Sequence, residues 1–178
     1  MLFIKILTTK KITLLILCDL SKAFDSVSHE VLMRKFLDLQ IDTFWFKDYL
    51  KNRIQSVRIQ NTISDTANVE YGVPQGSILG PILFLIFIND MSKYITDCLL
   101  VQYADDTQIL ISEDIHNINL LIKRAENLLS KVKKYFLANG LLLNANKTQC
   151  IFISSTQYLN KIPEVKICCD GGYIIQSK

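Results

Sequence analysis

Short, mainly apolar runs alternate with polar turns along the 178 residues, and their lengths distinguish strands from helices. Residues 12–18 form a run dominated by Ile and Leu, which is typical of a strand buried on both faces. Residues 99–103 and 107–112 are two shorter runs joined by a three-residue polar turn, which predicts a β-hairpin. Further strands are predicted at 54–60, at 67–71, at 150–154, and as a pair within 163–178 that ends in disorder.

Other stretches have the 3.6-residue periodicity of helices that bury one side. The predicted helices cover residues 28–39, 44–51, a segment beginning near Pro81, and 114–138. Ser28 is a suitable N-cap for the first helix, and Asn139-Gly140 is a strong stop signal for the last. Residues 72–80 contain three Gly and one Pro and therefore predict a loop. This mixed order of elements predicts an α+β fold in one domain.

The composition narrows the class of protein. Apolar residues make up 49% and charged residues 21%, which excludes intrinsic disorder and collagen. The mean hydropathy of +0.23 is high for a free domain and indicates apolar faces that neighbouring structure should cover. Five Cys without paired CxxC motifs indicate reduced thiols in an intracellular protein. No run reaches the roughly 18 apolar residues that span a membrane, so no membrane partner is expected.

The net charge of +3 decides little, but its distribution is uneven. Six Lys and Arg residues stand between positions 123 and 147, and Glu126 is the acidic residue among them. A solvated helix face is the simpler interpretation of this pattern. A surface that faces phosphates is the alternative.

Three carboxylates stand where rigid elements could bring them together. Asp19 ends the predicted buried strand, and Asp105 and Asp106 occupy the hairpin tip. Clustered carboxylates repel one another, and divalent cations relieve that cost. Oxygen ligands favour Mg²⁺, and two such ions support phosphoryl transfer. Taken singly, an Asp-Asp pair in a hairpin is more often only a turn.

Four motifs make the combination far more specific. In chain order they are DLSKAFDSV at 19–27, GVPQGSILGP at 72–81, YADD at 103–106 and NGLLLNANKT at 139–148. Together they closely resemble the reverse transcriptase domain of non-LTR (LINE-like) retrotransposons. The resemblance implies a right-hand polymerase palm over roughly residues 10–155, with an antiparallel sheet and a catalytic hairpin packed on helices. Residues 156–178 would add C-terminal strands and a tail to this single partial domain.

The resemblance also implies a metal and catalytic site. Asp19 would be a ligand of both metals, with Leu20 offering its backbone carbonyl. Asp105 would be the second bridging ligand, and Asp106 would lie close to the metals. Lys147 would protonate or neutralise the leaving pyrophosphate, and a solvent-facing Lys is the alternative. The expected cofactors are two Mg²⁺ ions, for which Mn²⁺ could substitute.

Other matching positions imply a nucleotide-binding surface. The ring of Phe24 would lie under the sugar of the incoming nucleotide and exclude a 2′-hydroxyl, which selects dNTP over rNTP; a core Phe is the alternative. Gln75 and Gly76 would contact the nucleotide and the template strand. Tyr103 would lie near the primer terminus, and Asp25 is expected to have a structural hydrogen-bonding role.

The expected function is RNA-directed DNA polymerisation by a retrotransposon-derived protein, with an RNA template, a DNA primer and dNTPs as partners. Two alternatives stay open: a truncated, inactive remnant that at most binds nucleic acid, and a maturase-type reverse transcriptase. Only 18 residues precede Asp19, so we expect the fingers to be largely missing and the thumb to be missing or incomplete. A second chain could supply both. Nuclear and cytoplasmic locations are equally compatible with the sequence.

Overall fold

The computed structural model describes residues 11–160, 162, 165–169 and 172–175, and it has an α+β architecture. The strands are β1 (Lys11–Cys18), β2 (Leu20–Ser21), β3 (Ile54–Gln55), β4 (Arg58–Ile59), β5 (Thr62–Ile63), β6 (Ala67–Asn68), β7 (Leu99–Tyr103), β8 (Asp106–Asp114), β9 (Leu142–Leu143), β10 (Gln149–Ile153), β11 (Lys166–Cys169) and β12 (Gly172–Ile175). The helices are α1 (His29–Asp38), α2 (Phe44–Leu50), α3 (Leu79–Ile88), α4 (Met91–Tyr94), α5 (Ile118–Ala138) and α6 (Thr156–Leu159). Short 3-10 turns occur at Phe24–Ser26 and Ile115–Asn117.

The centre of the fold is an antiparallel sheet in the order β10-β1-β8-β7. The predicted buried strand is confirmed, because β1 lies between two partners and its alternate side chains Ile12, Leu14 and Ile16 are fully buried. On its other face, the Thr13 hydroxyl is also buried and shares a 2.8 Å hydrogen bond with the Ser112 hydroxyl. A strand that is paired on both sides, with one face fully buried and the other partly buried, is a rigid base for the residue that follows it.

The helices form a common core with the sheet. Leu32 and Phe36 of α1, Phe84 and Phe87 of α3, and Phe136 of α5 are all completely buried. The Ser28 hydroxyl accepts a hydrogen bond from the Val31 amide, which confirms the predicted N-cap of α1. After α5, Gly140 adopts a φ of +74°, and the Gly140 and Leu141 amides bond back to carbonyls of the last turn, as expected for the predicted stop.

Several sequence-based boundaries were wrong. The long helix α5 begins at Ile118 rather than 114, because Glu113 and Asp114 extend β8 and the Asp114 carboxylate accepts the His116 amide to form a 3-10 turn. The segment 54–60 is not one strand. Its first part, β3, pairs with β6 as expected, whereas β4 turns back at Gln60 to pair with β5. The helix predicted over 28–39 ends at Asp38, so Leu39 lies beyond it and is 41% exposed.

Near the C-terminus, β11 and β12 pair as antiparallel strands, which confirms the predicted pair. The predicted disordered end lies at residues 176–178, outside the described residues. Across the described ranges, no helix is both long enough and apolar enough to cross a bilayer.

Candidate active site at the end of the central strand

Asp19 is held at the end of β1 by backbone contacts on both sides. Cys18 pairs with Thr107 in the adjacent strand, so Asp19 lies next to the start of β8, where Asp106 stands. The Asp19 carbonyl accepts the Asn144 amide at 2.8 Å, and the Asp19 amide donates to the Thr148 hydroxyl at 3.4 Å. The motif at 139–148 therefore fixes the backbone of the residue that ends the buried strand.

The hairpin tip is tighter than the sequence indicates. Tyr103 pairs with Asp106, so the connecting loop has two residues, Ala104 and Asp105, and Asp106 belongs to β8. Ala104 has a φ of +51°, a left-handed conformation that costs an L-residue about 1–2 kcal/mol. The Asp105 side chain is partly buried, and that of Asp106 is exposed. Strain at this position is maintained by the strand pairing on both sides.

The Asp19 carboxylate has a buried oxygen that makes no hydrogen bond. Within the described ranges, the buried side-chain oxygens and nitrogens without a partner are Asp19 Oδ2 and Thr107 Oγ1. Both belong to the junction between β1 and β8. A buried carboxylate oxygen without a donor is costly, and a cation would supply the missing interaction. The donor set here consists of oxygens, which suits Mg²⁺ or Mn²⁺.

The backbone brings the three predicted Asp residues near one another, but their carboxylate groups do not form a cluster. The sheet register places Asp19 beside Asp106, with Asp105 next in the turn, yet no group of three potential metal-ligating side chains is drawn together among the residues with described structure. Mg²⁺ sites commonly use one or two carboxylates, with substrate phosphates completing the shell. The residues present therefore fit a divalent cation that is shared with a phosphate ligand.

The loop at 72–80 is attached to the motif that contains Asp19. The Gly72 amide donates to the Val27 carbonyl and the Val73 amide donates to the Phe24 carbonyl, both at 2.8 Å. The Gln75 side-chain amide donates to the Asp25 carboxylate at 2.7 Å, which gives Asp25 the structural role expected for it. Gln75 and Gly76 are both exposed, on a loop fixed at its base.

The remaining predicted site residues occupy different surroundings. Phe24 is half-buried, and its ring packs against that of Phe84 with centroids 5.0 Å apart. Tyr103 is 79% exposed at the end of β7. Leu20 is buried in β2, which pairs with β9. Lys147 is exposed in the turn whose amides bond to the Asn144 carbonyl.

Sequence reasoning missed a buried polar cluster formed by Lys35, Asp90 and Tyr135. Lys35 Nζ donates to Asp90 Oδ1 at 2.7 Å and to the Phe87 carbonyl at 2.5 Å, and the Tyr135 hydroxyl donates to Asp90 Oδ1 at 2.5 Å. Burial lowers the pKa of Lys35, although its hydrogen bond with Asp90 offsets part of that effect. Lys35 lies in α1 between the core residues Leu32 and Phe36, and this position was the available sign that its side chain is buried.

The other two groups of this cluster shift in opposite directions. For Asp90, burial acts to raise the pKa, but hydrogen bonds from Lys35 and Tyr135 outweigh it and hold the pKa below its usual value. Burial, reinforced by the Asp90 carboxylate, raises the pKa of Tyr135. The cluster is therefore an internally neutralised ion pair with a neutral phenol.

Comparison with known proteins identifies the family. Residues 4–163 match the family model described as reverse transcriptase (RNA-dependent DNA polymerase). The chain belongs to this family. This reverse transcriptase chain is 36% identical over 108 residues to a probable RNA-directed DNA polymerase from transposon BS of Drosophila melanogaster, covering 56% of the chain and 12% of that protein. It is 29% identical over 158 residues to the RNA-directed DNA polymerase from mobile element jockey of Drosophila funebris, covering 84% of the chain and 17% of that protein.

These relatives confirm the predicted resemblance to LINE-like retrotransposon reverse transcriptases, and the chain spans less than a fifth of the length of either one. Among solved structures, the fold is similar to telomerase from Candida tropicalis in complex with a fragment of telomeric RNA. The TM-score is 0.58 at 18% identity, covering 83% of this chain and 26% of that one. This likeness supports the predicted palm fold.

Proposed function

We propose that this reverse transcriptase domain adds dNTPs to a DNA primer on an RNA template. The observation that carries the proposal is the buried, unpartnered Oδ2 of Asp19, fixed beside the tip of the β7–β8 hairpin. In the reaction, the primer 3′-hydroxyl oxygen bonds to the α-phosphorus of the dNTP. The bond from that phosphorus to the bridging oxygen breaks, and pyrophosphate leaves. Membership in a family of RNA-dependent DNA polymerases supports this reaction.

Two Mg²⁺ ions, or Mn²⁺ in their place, would be held by Asp19, Asp105, Asp106 and the Leu20 carbonyl. When bound, such ions neutralise charge on the phosphate oxygens and favour deprotonation of the attacking hydroxyl. The chain itself contributes rigidity, because Asp19 is fixed by strand pairing and by the Asn144 amide. Lys147, exposed in the turn that follows Asn144, would neutralise or protonate the leaving pyrophosphate.

The nucleotide would lie between the Asp19 motif and the loop at 72–80. Gln75 is held by Asp25, and Gly76 has a φ of +78° with open space around its α-carbon, so the backbone there can approach a base pair closely. Tyr103, exposed at the end of β7, would contact the primer terminus. The strand face next to it exposes Leu99 and Val101, which extends the surface available to a duplex.

Asp19→Asn is expected to stabilise the protein in metal-free buffer by about 1 kcal/mol, because the neutral amide avoids the cost of an unpartnered buried carboxylate. The wild type should gain stability when Mn²⁺ is added, by about 1.4 kcal/mol at ten times its Kd, whereas the variant should gain little. Urea unfolding with and without Mn²⁺ measures both effects. Asp48→Asn, at an exposed position of α2, is the matched control. Equal stabilisation of Asp19→Asn and the wild type by Mn²⁺ would contradict the metal assignment.

Phe24→Val is expected to allow ribonucleotides into the product, because the smaller side chain opens space where the ring would meet a 2′-hydroxyl. Primer extension with rUTP and with dTTP gives the ratio of the two kcat/KM values, and we expect preference for dTTP to fall by about tenfold or more. Phe24 also packs against Phe84, so the melting temperature of the variant is measured alongside. An unchanged ratio in a folded variant would assign the ring to the core alone.

The choice of template tests the class of polymerase. With an oligo(dT) primer, the chain is expected to extend more efficiently on poly(rA) than on poly(dA) at equal concentrations. A chain that only binds nucleic acid would bind both primer–templates and extend neither primer. Preference for poly(dA) would contradict RNA-directed synthesis.

A further inference from the structure

A pocket of about 600 Å³ lies between α1, α4 and the C-terminal half of α5. Val31, Ile95 and Ala138 contribute apolar walls, and the cluster of Lys35, Asp90 and Tyr135 lies at its base. The residues that line it include none of the predicted catalytic or nucleotide-binding positions. The volume is in the range of pockets that bind small organic groups. It is therefore a second concave site, separate from the one at the end of β1.

The charges around this pocket are mainly positive and mostly without partners. Arg34, Lys131 and Lys134 line it, together with one carboxylate outside the buried cluster, that of Asp38. Within the described part of the chain, no ion pair or hydrogen bond involves the side chains of these three cations. Lys35 is already neutralised by Asp90 at 2.7 Å. Three cations against one carboxylate leave the opening with a net positive charge.

The positive surface continues beyond the pocket. A smaller depression of about 130 Å³ shares Lys35, Asp38, Asp90 and Tyr94 with it and adds Lys93. Lys131 and Lys134 are three residues apart and therefore lie on one side of α5, and Lys123 is exposed on the same helix. Arg124 differs, because Glu113 and the Asp97 carbonyl already hold it. Several unpaired cations in a row suit a ligand with repeated anionic groups better than a single anion.

Tyr94 gives this surface a flat apolar face. Its side chain is 62% exposed and lines both depressions, and its ring contacts the Tyr135 ring with centroids 5.8 Å apart. No hydrogen bond of the Tyr94 side chain occurs among the residues the structure covers. Exposed aromatic rings beside cations are the surroundings in which unpaired bases stack.

We propose that this surface, formed by Arg34, Lys93, Tyr94, Lys131 and Lys134, binds single-stranded nucleic acid. The cations contact successive phosphates, and a base stacks on Tyr94 in the mouth of the pocket. This assigns a function to the basic stretch of α5 that the polymerase site leaves unused. The surface shares no residue with the site at Asp19, so RNA binding at this surface and polymerase activity can be lost independently of each other.

The test measures binding of a fluorescently labelled 12-nucleotide single-stranded RNA to the full chain. Lys131→Gln/Lys134→Gln is expected to weaken binding about tenfold at 0.1 M salt. It should also reduce the slope of log K against log salt by about 1.4, since each phosphate contact on a single strand contributes about 0.7. Both positions are exposed, so the fold should be retained, and circular dichroism checks it. Lys47→Gln/Lys51→Gln removes equal charge from exposed positions elsewhere and should leave the affinity unchanged.

A second pair of variants separates stacking from charge. Tyr94→Ala is expected to weaken RNA binding about fivefold or more, whereas Tyr94→Phe keeps the ring and should bind like the wild type. Binding of Asp48→Asn should also match the wild type, because Asp48 is exposed on α2 and lies outside this surface. If the two double-Lys variants lost RNA affinity equally, the loss would reflect only the overall charge of the chain, and the proposal would be overturned.

Competitors identify the ligand class. An unlabelled single-stranded DNA of the same sequence should displace the RNA, because the proposed contacts use only phosphates and a base face. An acidic peptide of matched charge that displaces it equally well would assign the surface to a protein partner and overturn the proposal. Displacement of the RNA by micromolar AMP would show that the surface is a mononucleotide pocket, and it would overturn the proposal that the ligand is single-stranded nucleic acid.

Discussion

Asp105→Asn is expected to lower the rate of primer extension by about a thousandfold or more, which corresponds to about 4 kcal/mol of activation free energy. Asn keeps the size and hydrogen-bonding shape of the side chain but removes the charge that a bridging metal ligand supplies. Asp105 lies in a two-residue turn that strand pairing closes on both sides, so the substitution should leave the fold intact.

The measurement is dTTP incorporation on poly(rA)–oligo(dT) with Mg²⁺ and with Mn²⁺, alongside the Kd for the same primer–template. The rate should fall and the Kd should change little, because the protein is expected to contact the hybrid mainly through its shape and backbone. Asp48→Asn, which removes the same charge from an exposed helix position, should behave like the wild type. Activity of Asp105→Asn within a few fold of the wild type would remove Asp105 from the site.

Gly72→Ala is expected to lower the free energy of unfolding by about 3 kcal/mol. An added Cβ would lie 2.9 Å from the Asp25 α-carbon and 3.0 Å from the carbonyl oxygens of Phe24 and Asp25. These are backbone atoms, which cannot rotate away as the end of a flexible side chain can. Gly72 also has a φ of +88°, a conformation that strains any L-residue.

Urea unfolding of the wild type and Gly72→Ala gives the difference directly. Gly140→Ala is the matched control, since Gly140 has a similar φ of +74° but no atom within 4 Å of an added Cβ. It should cost about 1 kcal/mol, the backbone strain alone. Losses of equal size at the two positions would show that close packing of Gly72 on the Asp19 motif contributes nothing. If the packing matters, Gly72→Ala should also slow primer extension by displacing the loop that carries Gln75.

The elements that form the candidate site were predictable because their signals are local. The run before Asp19 is long and apolar enough to be a central strand, and two short runs around a polar turn make a hairpin. The motifs then identified the family, which the comparisons confirm. The exact turn was less predictable, because whether Asp106 lies in the loop or in β8 depends on the register with β7.

Long-range pairing accounts for what sequence reasoning missed. Gln75 and Asp25 are 50 residues apart, and nothing local indicates that they share a hydrogen bond. Lys35 looks like a surface residue by type, yet Asp90 and Tyr135, from two other helical segments, make its burial possible. The strand predicted at 54–60 failed because a tight turn at Gln60 competes with continued pairing to the 67–71 segment.

The most direct test of the proposed RNA-directed DNA polymerase activity is single-nucleotide extension of oligo(dT) on poly(rA) by the wild-type chain, with each divalent cation and with EDTA. Circular dichroism and primer–template binding are measured on the same preparation. The prediction is dTMP addition and pyrophosphate release that require Mg²⁺ or Mn²⁺ and that Asp19→Asn abolishes. A folded chain that binds the primer–template and adds no nucleotide with either metal would contradict it.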